Sequence, residues 1–430
     1  MKYADFPKAV IRENVDYTVK EITNIIKRYG PRESGNENCY ATQKHIKKEM
    51  DIFADETGFE SYKIAPKAFL HFTKTVSLCI ILAVVVCLAL TFLNVFDGVG
   101  KNSFFLPQII VGAATAIGLL ITVFEFLFYK KFCDAFYKKT EGHNFYAKRK
   151  PVGEIKRRFV ISGHCDAAYE WRNILYFKGA AGIAFALPAI FAVLSFIVAL
   201  LSIIASYVNM GEFGVFLIDY GFYFHGLTVL AMVLLFFSID FKSIVPGAND
   251  NLTGTYAAVC AMRMLDMAGV ELENTELVCM ITDGEEAGLR GSKAWIETHH
   301  DEYTDGEIET AVLCVDTLCD LDDFCVYNKD MTGLVRNSKE FSQFVSDCSA
   351  ETGREALKLK TLPFGASDAA AFSQGGAVAT ALCAMDPKPA DYYHNRRDNF
   401  DRLNRDAIQA GFEVVLSTIL AYDENGLNKQ

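Results

Sequence analysis

TELVCMITDGEEAGLRGS (residues 275–292) is an apolar run that breaks into a glycine-flanked acidic loop. Its first eight residues have the length and composition of a buried strand. Two glutamates then stand side by side, Glu285 and Glu286. Neighbouring residues face opposite ways on a strand and sit about 100° apart on a helix, so a doubled acid rarely serves one structural purpose. The same rhythm recurs nearby. RRFVISGHCDA (157–167), TAVLCVD (310–316) and AVATALCAM (377–385) are short apolar runs. Between and after them lie the helical patterns LTGTYAAVCAMRMLDMAG (252–269), SKEFSQFVSDCSAETG (338–353) and RDAIQAGFEVVLSTILAYD (405–423). Strand and helix in alternation predict an α/β fold, a three-layer α/β/α sandwich around a mixed, mostly parallel central sheet.

The rest of the composition does not fit a soluble enzyme alone. The chain has 430 residues, of which 51% are hydrophobic, with 34 Phe. The surplus is concentrated in four runs, 76–96, 104–129, 179–207 and about 221–239. Each approaches or exceeds the ~20 residues with which a helix crosses a ~30 Å hydrocarbon layer. Short connectors join the first to the second and the third to the fourth, so four transmembrane helices are expected as two inserted hairpins. The organisation predicted is one domain of ordinary size in three pieces, 1–75, 130–175 and 240–430, interrupted by hairpins at 76–129 and 176–239. Of the Lys and Arg near the span ends, ten lie on the side carrying the rest of the chain, against Lys101 alone on the far side. By the positive-inside rule the protein is a multi-pass integral membrane protein with its large domain in the cytoplasm. Twelve scattered cysteines without C-x-x-C pairs, and an N-terminus without a signal-peptide apolar core, suit the same compartment. A net charge of −11 disfavours a nucleic-acid partner. Glu125 and His225 fall within spans; Glu125 is expected to reach the interface or Lys130 and Lys131, and His225 to be a neutral hydrogen-bonding group between helices.

Open sheets of this kind gather their sites at the carboxyl ends of strands. Those ends carry His164 and Asp166, Asp250 (in SIVPGANDN, 243–251), Glu285 and Glu286, Asp316, and His394 (in YYHNRRDNFD, 392–401). Singly, each could be a helix cap or a surface group. Together, imidazole nitrogens and carboxylate oxygens suit zinc, and a bridging carboxylate can hold two ions. The lack of H-E-x-x-H excludes a zincin helix.

The set GHCD, GANDN, GEEAGLRGS, VDT, SDAAAFSQGG and YHNRRDNFD, preceded by GPRESGNE at 30–37, resembles the M28 peptidases, the co-catalytic zinc aminopeptidase family. The resemblance runs in family order through nearly all of the chain outside the apolar spans. It implies two zinc ions, with other divalent ions possible. His164, Asp250, Glu286, Asp316 and His394 would bind metal, with Asp250 bridging. Glu285 would be the general base and Asp166 would accept the other N–H of His164. In the family the peptide after the bridging aspartate is often cis. Two departures stand out: the family's common SDH is Ser367–Asp368–Ala369 here, and Arg396 and Arg397 flank His394. Recognition of an acidic substrate group, or pairing with Asp398 or Asp401, would account for these arginines; Arg290 is similarly ambiguous.

The implied activity is a membrane-anchored zinc aminopeptidase acting on a peptide or membrane-associated polypeptide. Dipeptidase, carboxypeptidase or glutaminyl cyclase-like chemistry on the same scaffold is the alternative, and a non-catalytic receptor or subunit is another. The last predicts broken ligand positions, and none is broken. A transporter would need broken helix pairs that these spans lack. About a dozen residues separate Asp166 from the third span, and Asp250 from the fourth. At ~3.3–3.6 Å per residue, both metal-binding loops are tethered within ~40 Å of the bilayer. The hairpins then serve either to present substrate or only to anchor.

Overall fold

The computed structural model describes residues 2–98, 100–180, 182–388 and 390–427. The chain divides into two compact units, one formed by 1–66, 138–169 and 243–430, the other by 67–137 and 170–242.

The strands in chain order are β1 (Glu56–Ile64), β2 (Thr140–Arg149), β3 (Arg157–His164), β4 (Tyr169–Trp171), β5 (Ile239–Ile244), β6 (Thr275–Thr282), β7 (Glu309–Leu318), β8 (Phe324–Asp330), β9 (Val335–Arg336), β10 (Lys358–Thr361) and β11 (Val378–Ala384). β4 and β5 pair with each other. The large sheet has the order β1-β2-β6-β3-β7-β11-β8-β10, with β9 on β8. Its centre, β6-β3-β7-β11, is parallel, as the strand–helix rhythm requires. In the flanks β1 on β2, β2 on β6 and β8 on β11 are antiparallel, while the edge strand β10 runs parallel to β8. Both flanks lack the continuous apolar run of a strand buried on two faces, and sequence patterning did not mark them.

Alternation along the central strands builds the layers. Phe159 and Ile161 of β3, Leu277, Cys279 and Ile281 of β6, and Leu313 and Val315 of β7 share one core. Helices Lys8–Tyr29, Gly254–Met267, Lys339–Ala350 and Arg405–Asn425 cover that face. Val160, Val278, Met280 and Val312 point the other way, beneath Trp295, Ile296, Tyr303 and Phe372. Period-two side-chain alternation with apolar residues on both faces is what a two-sided sheet demands.

In the second unit four helices are long and apolar enough to cross a membrane: Ala68–Phe92, Phe105–Leu127, Ile183–Ala205 and Gly211–Ser238. At most 39% of any of their apolar windows is buried, so most of their apolar surface faces outward. Outward apolar area on this scale marks a surface that something apolar must cover. Two helices begin earlier than the apolar runs suggest. The first starts at Ala68 and the last at Gly211, because His71, Lys74, Glu212 and Asp219 interrupt hydropathy without interrupting the backbone.

The bundle's interior is where it is polar. His225 Nδ1 lies 2.6 Å from Ser195 Oγ and its Nε2 lies 2.8 Å from Gln108 Oε1. Gln108 Nε2 in turn donates to Ser202 Oγ at 3.3 Å. The network ties three helices together and makes His225 the interhelical hydrogen-bonding group that the sequence suggested. Glu125 is fully buried in a π-helical turn, Thr122–Leu127, where Oε2 accepts the Cys133 N–H at 2.7 Å.

Candidate metal centre

The site follows from strand order. β6, β3 and β7 are neighbours, so the loops leaving their carboxyl ends converge. His164 is the last residue of β3, in register with Thr282 of β6, and Glu285 and Glu286 come just after. Asp316 lies near the end of β7, and His394 in the loop after β11. Asp250 comes from the irregular turn 248–253 that opens helix Gly254–Met267. That helix reaches the strand only because both partners are glycines. A Cβ on Gly163 would lie 2.5 Å from the carbonyl carbon of Gly254, and one on Gly254 would lie 2.1 Å from Val315 O.

The geometry centres on Asp250. Its Oδ1 is 3.3 Å from His164 Nε2 and its Oδ2 is 3.1 Å from His394 Nε2. One carboxylate therefore offers an oxygen to each imidazole. His394 Nε2 is also 3.3 Å from Glu286 Oε1, and Glu285 Oε2 is 3.8 Å from His164 Nε2. His164, Asp250 and Glu286 can bring donor atoms within 4.8 Å of one another, as can His164, Glu285 and Asp316. All seven residues picked out from the sequence thus meet at one place. His164 Nε2 is buried with no hydrogen-bond partner among the described residues. A buried imidazole nitrogen aimed at carboxylates without a bond to any of them is the donor arrangement that a divalent cation completes, so these residues fit a metal.

Asp166 does more than orient one histidine. The Nδ1 of His164 is 3.1 Å from the Asp166 carbonyl oxygen and 3.4 Å from its Oδ1. The carboxylate itself accepts the N–H of Glu285 (3.3 Å) and Glu286 (3.1 Å) and the hydroxyl of Ser34 (2.6 Å). It therefore couples the His164 loop to the Glu285–Glu286 loop.

Other groups carry the site without having been singled out. Asp398, fully buried, accepts from the N–H of Asn249 (2.8 Å), the Asn249 side-chain amide (2.9 Å) and the N–H of Asp250 (3.0 Å). The sequence had offered it only as a partner for Arg396 or Arg397. Asn251 fixes the other side of Asp250: its Nδ2 donates to Val315 O at 2.8 Å and its Oδ1 accepts the Thr317 N–H at 3.1 Å. The Asp250–Asn251 peptide is cis. Asp283 accepts the Gly35 N–H at 3.0 Å and buttresses the glutamate loop from behind. Of the family's SDH, Asp368 accepts the Thr282 hydroxyl at 2.6 Å, whereas Ala369 packs into the apolar core. Arg290 is buried and donates to Gly288 O at 3.1 Å within its own turn. Arg397 donates to Asp391 O at 3.3 Å.

Electrostatics follow from burying so many acids together. Burial raises Glu285 well above the usual carboxylate range; His164 opposes this, and Glu286 and Asp368 add to it. Burial, then the Asp250 charge, raise Asp316 to about 7 and Asp398 to about 7. Asp250 moves the other way. Burial would raise it, but the two imidazoles hold it below the usual range. Burial would likewise lower the histidines, but Glu286 and Asp250 push His394 up to about 10, and Glu285, Asp166 and Asp250 hold His164 well above its ordinary value.

Residues 232–419 match the model of peptidase family M28, so the resemblance seen in the motifs holds across that segment. No curated protein sequence matches the chain. Among solved structures, a zinc aminopeptidase from Bacillus subtilis is similar at 13% identity and a TM-score of 0.53, covering 95% of each chain. A glutaminyl cyclase from Fimbriiglobus ruber gives 12% identity and a TM-score of 0.53, covering 96% of this chain and 95% of that one. A Zn-dependent exopeptidase from Parabacteroides distasonis gives 11% and 0.52, covering 97% and 98%. At these identities the likeness is one of fold, and the fold is that of the M28 peptidases.

The raised histidines set a pH dependence. In the metal-free protein the protonated imidazoles stabilise the fold below the ordinary histidine pKa, and that contribution is lost as pH rises through about 10 for His394. A metal ligand must be neutral, so zinc has to displace these protons. Titration calorimetry in buffers of different ionisation heat should show net proton release at neutral pH. Affinity should rise roughly tenfold per pH unit for each proton displaced. Identical heats in all buffers would show that the histidines are not the ligands.

Proposed function

We propose that the chain is a membrane-anchored metallopeptidase of M28 type that acts as an aminopeptidase with two zinc ions. The observation that carries this is the division of the Asp250 carboxylate, one oxygen towards His164 and the other towards His394. A carboxylate so divided suits two ions side by side. Asp250 would bridge them, with His164 and Asp316 completing one set and Glu286 and His394 the other. Other divalent ions suit the same donors.

When bound, such ions lower the pKa of a water towards neutrality and polarise the scissile carbonyl. The remaining work belongs to the chain. Glu285 is held beside the ligand set by the hydrogen bond from its N–H to Asp166 Oδ1. Its raised pKa suits a base that takes a proton from the attacking water and returns it to the leaving amine. Glu286 is kept from that task by its approach to His394, 3.3 Å away. Asp166 would fix the tautomer of His164 by accepting at Nδ1, so that a metal ion replacing the Nε2 proton would meet the lone pair there.

The four apolar helices supply the anchor, as two hairpins in a lipid bilayer. The excess of Lys and Arg on the side of the remaining chain supports a cytoplasmic catalytic unit. The substrate class is a peptide with a free amino end, or the end of a membrane-associated polypeptide.

The catalytic test uses the chain purified in detergent with zinc. Peptides with free amino ends should be cut at the first bond and blocked ones left intact. Glu285→Gln should abolish turnover by about 10²–10⁴-fold with zinc content unchanged. Equal activity in the variant would sink the mechanism, and loss of ammonia from amino-terminal glutamine without cleavage would make the enzyme a cyclase. Orientation needs introduced cysteines, since Cys165 and Cys314 are buried. A membrane-impermeant thiol label should reach Lys101→Cys in intact cells and Asp301→Cys only after the cells are opened. The reverse pattern would invert the topology.

A further inference from the structure

GPRESGNE (30–37) ends some thirty residues before the first span at Ala68, and the mechanism uses none of its side chains directly. Its Arg32 is nonetheless among the largest fully buried side chains of the molecule. A buried guanidinium is expensive unless its geometry is used, because desolvation outweighs what loose pairing returns. Here the geometry is used on two main-chain carbonyls. Nε donates to Cys165 O at 2.8 Å and Nη2 donates to Gly247 O at 2.9 Å. Cys165 directly follows His164, and Gly247 precedes Asp250 by three residues. The Arg32 carbonyl oxygen accepts the Ala167 N–H at 2.8 Å, so backbone and side chain grip the same loop.

The opposite partner is shaped for this contact. Gly247 has φ +61°, and a Cβ there would come 2.8 Å from Arg32 Nη2 and 2.8 Å from Ala167 Cβ. Glycine at 247 is therefore a condition of the guanidinium's approach as well as of the turn. The next residues extend the grip, since Ser34 binds the Asp166 carboxylate and Gly35 binds Asp283. Residues 32–35 thus touch three of the segments that carry candidate ligands, at 164–167, 247–250 and 283–286.

We infer that Arg32 is a positioning residue that fixes the distance between the His164 loop and the Asp250 loop and so presets the metal centre. The inference rests on reading that centre as a metal site. A zinc ion accepts nitrogen and oxygen donors only at about 2.0–2.2 Å, so loops free to drift would have to be ordered at the moment of binding. The planar fork of arginine spans two carbonyls in fixed directions, and the point charge of lysine cannot.

Arg32→Lys keeps the charge and removes the fork. The control is Arg158→Lys, another buried cation, whose partners are Glu276 (2.6 Å) and Glu302 (2.5 Å). Arg158 is the second residue of β3, about 20 Å along the strand from His164 at ~3.3 Å per residue. Zinc competition against a chelator, on full-length protein in detergent, should show affinity lowered about 10- to 100-fold in Arg32→Lys, the range for residues that orient metal ligands. Arg158→Lys should lower the melting temperature yet hold zinc within twofold of wild type. At saturating zinc, Arg32→Lys should lose kcat with KM for the peptide unchanged. If Arg32→Lys does not fold, Gly247→Ala, which keeps the guanidinium but crowds its contact, should give the same loss of zinc affinity. Wild-type zinc affinity in the folded variant, or equal loss in Arg158→Lys, would overturn the inference. A wild-type chain that binds no zinc would overturn the metal-site reading, and the inference with it.

Discussion

Eight carboxylates gathered about two imidazoles form the constraint on which the rest of the catalytic unit turns. Asp166, Asp250, Asp283, Glu285, Glu286, Asp316, Asp368 and Asp398 all lie at or just behind the ends of the central strands. Burial first, and then the neighbouring acids that two histidines cannot neutralise, push Glu285, Asp316 and Asp398 towards their protonated forms. Asp250, which has both imidazoles, is held in its ionised form. The site is therefore polarised before any ion enters: an anion at the centre, cationic histidines on either side, and acids ready to give up protons around it. Divalent ions would replace those protons and relieve the repulsion in one step.

Holding this arrangement together is the work of hydrogen bonds reaching between distant parts of the chain. Asp398 gathers the N–H groups of Asn249 and Asp250, Asp166 gathers those of Glu285 and Glu286, and Asp283 takes that of Gly35. Asp398 and Asp166 thus anchor the backbone of segments that carry candidate ligands, and Asp283 ties the glutamate loop to residues 32–35. The doubled acid of the 285–286 loop belongs to this scheme: one anchored loop presents two carboxylates to different partners, Glu285 towards His164 and Glu286 towards His394.

Much of this was legible in the sequence, and the limit of legibility has a physical cause. β3, β6, β7 and β11 stood out because strands buried on two faces are continuous apolar runs. The seven site residues stood out because acids and histidines at the ends of such runs are conspicuous, and family resemblance gave them roles. β1, β2, β8 and β10 did not, because flanking strands mix polar and apolar residues without a clear period. Asp398, Asp283, Ser34 and Arg32 were equally silent. Their partners lie more than a hundred residues away, and a hydrogen bond to a distant backbone leaves no trace in local patterning. The four apolar helices were plain from hydropathy, but their starts were not, since a buried or terminal charge such as Glu212 interrupts the apolar run while the helix continues.

The central claim is that Asp250 bridges two ions. It is tested most directly by anomalous scattering at the zinc edge from crystals of the zinc-loaded protein. Two peaks about 3.5–4 Å apart are expected, flanking the Asp250 carboxylate, one beside His164 and Asp316 and the other beside Glu286 and His394. A single peak, or peaks away from Asp250, would contradict it.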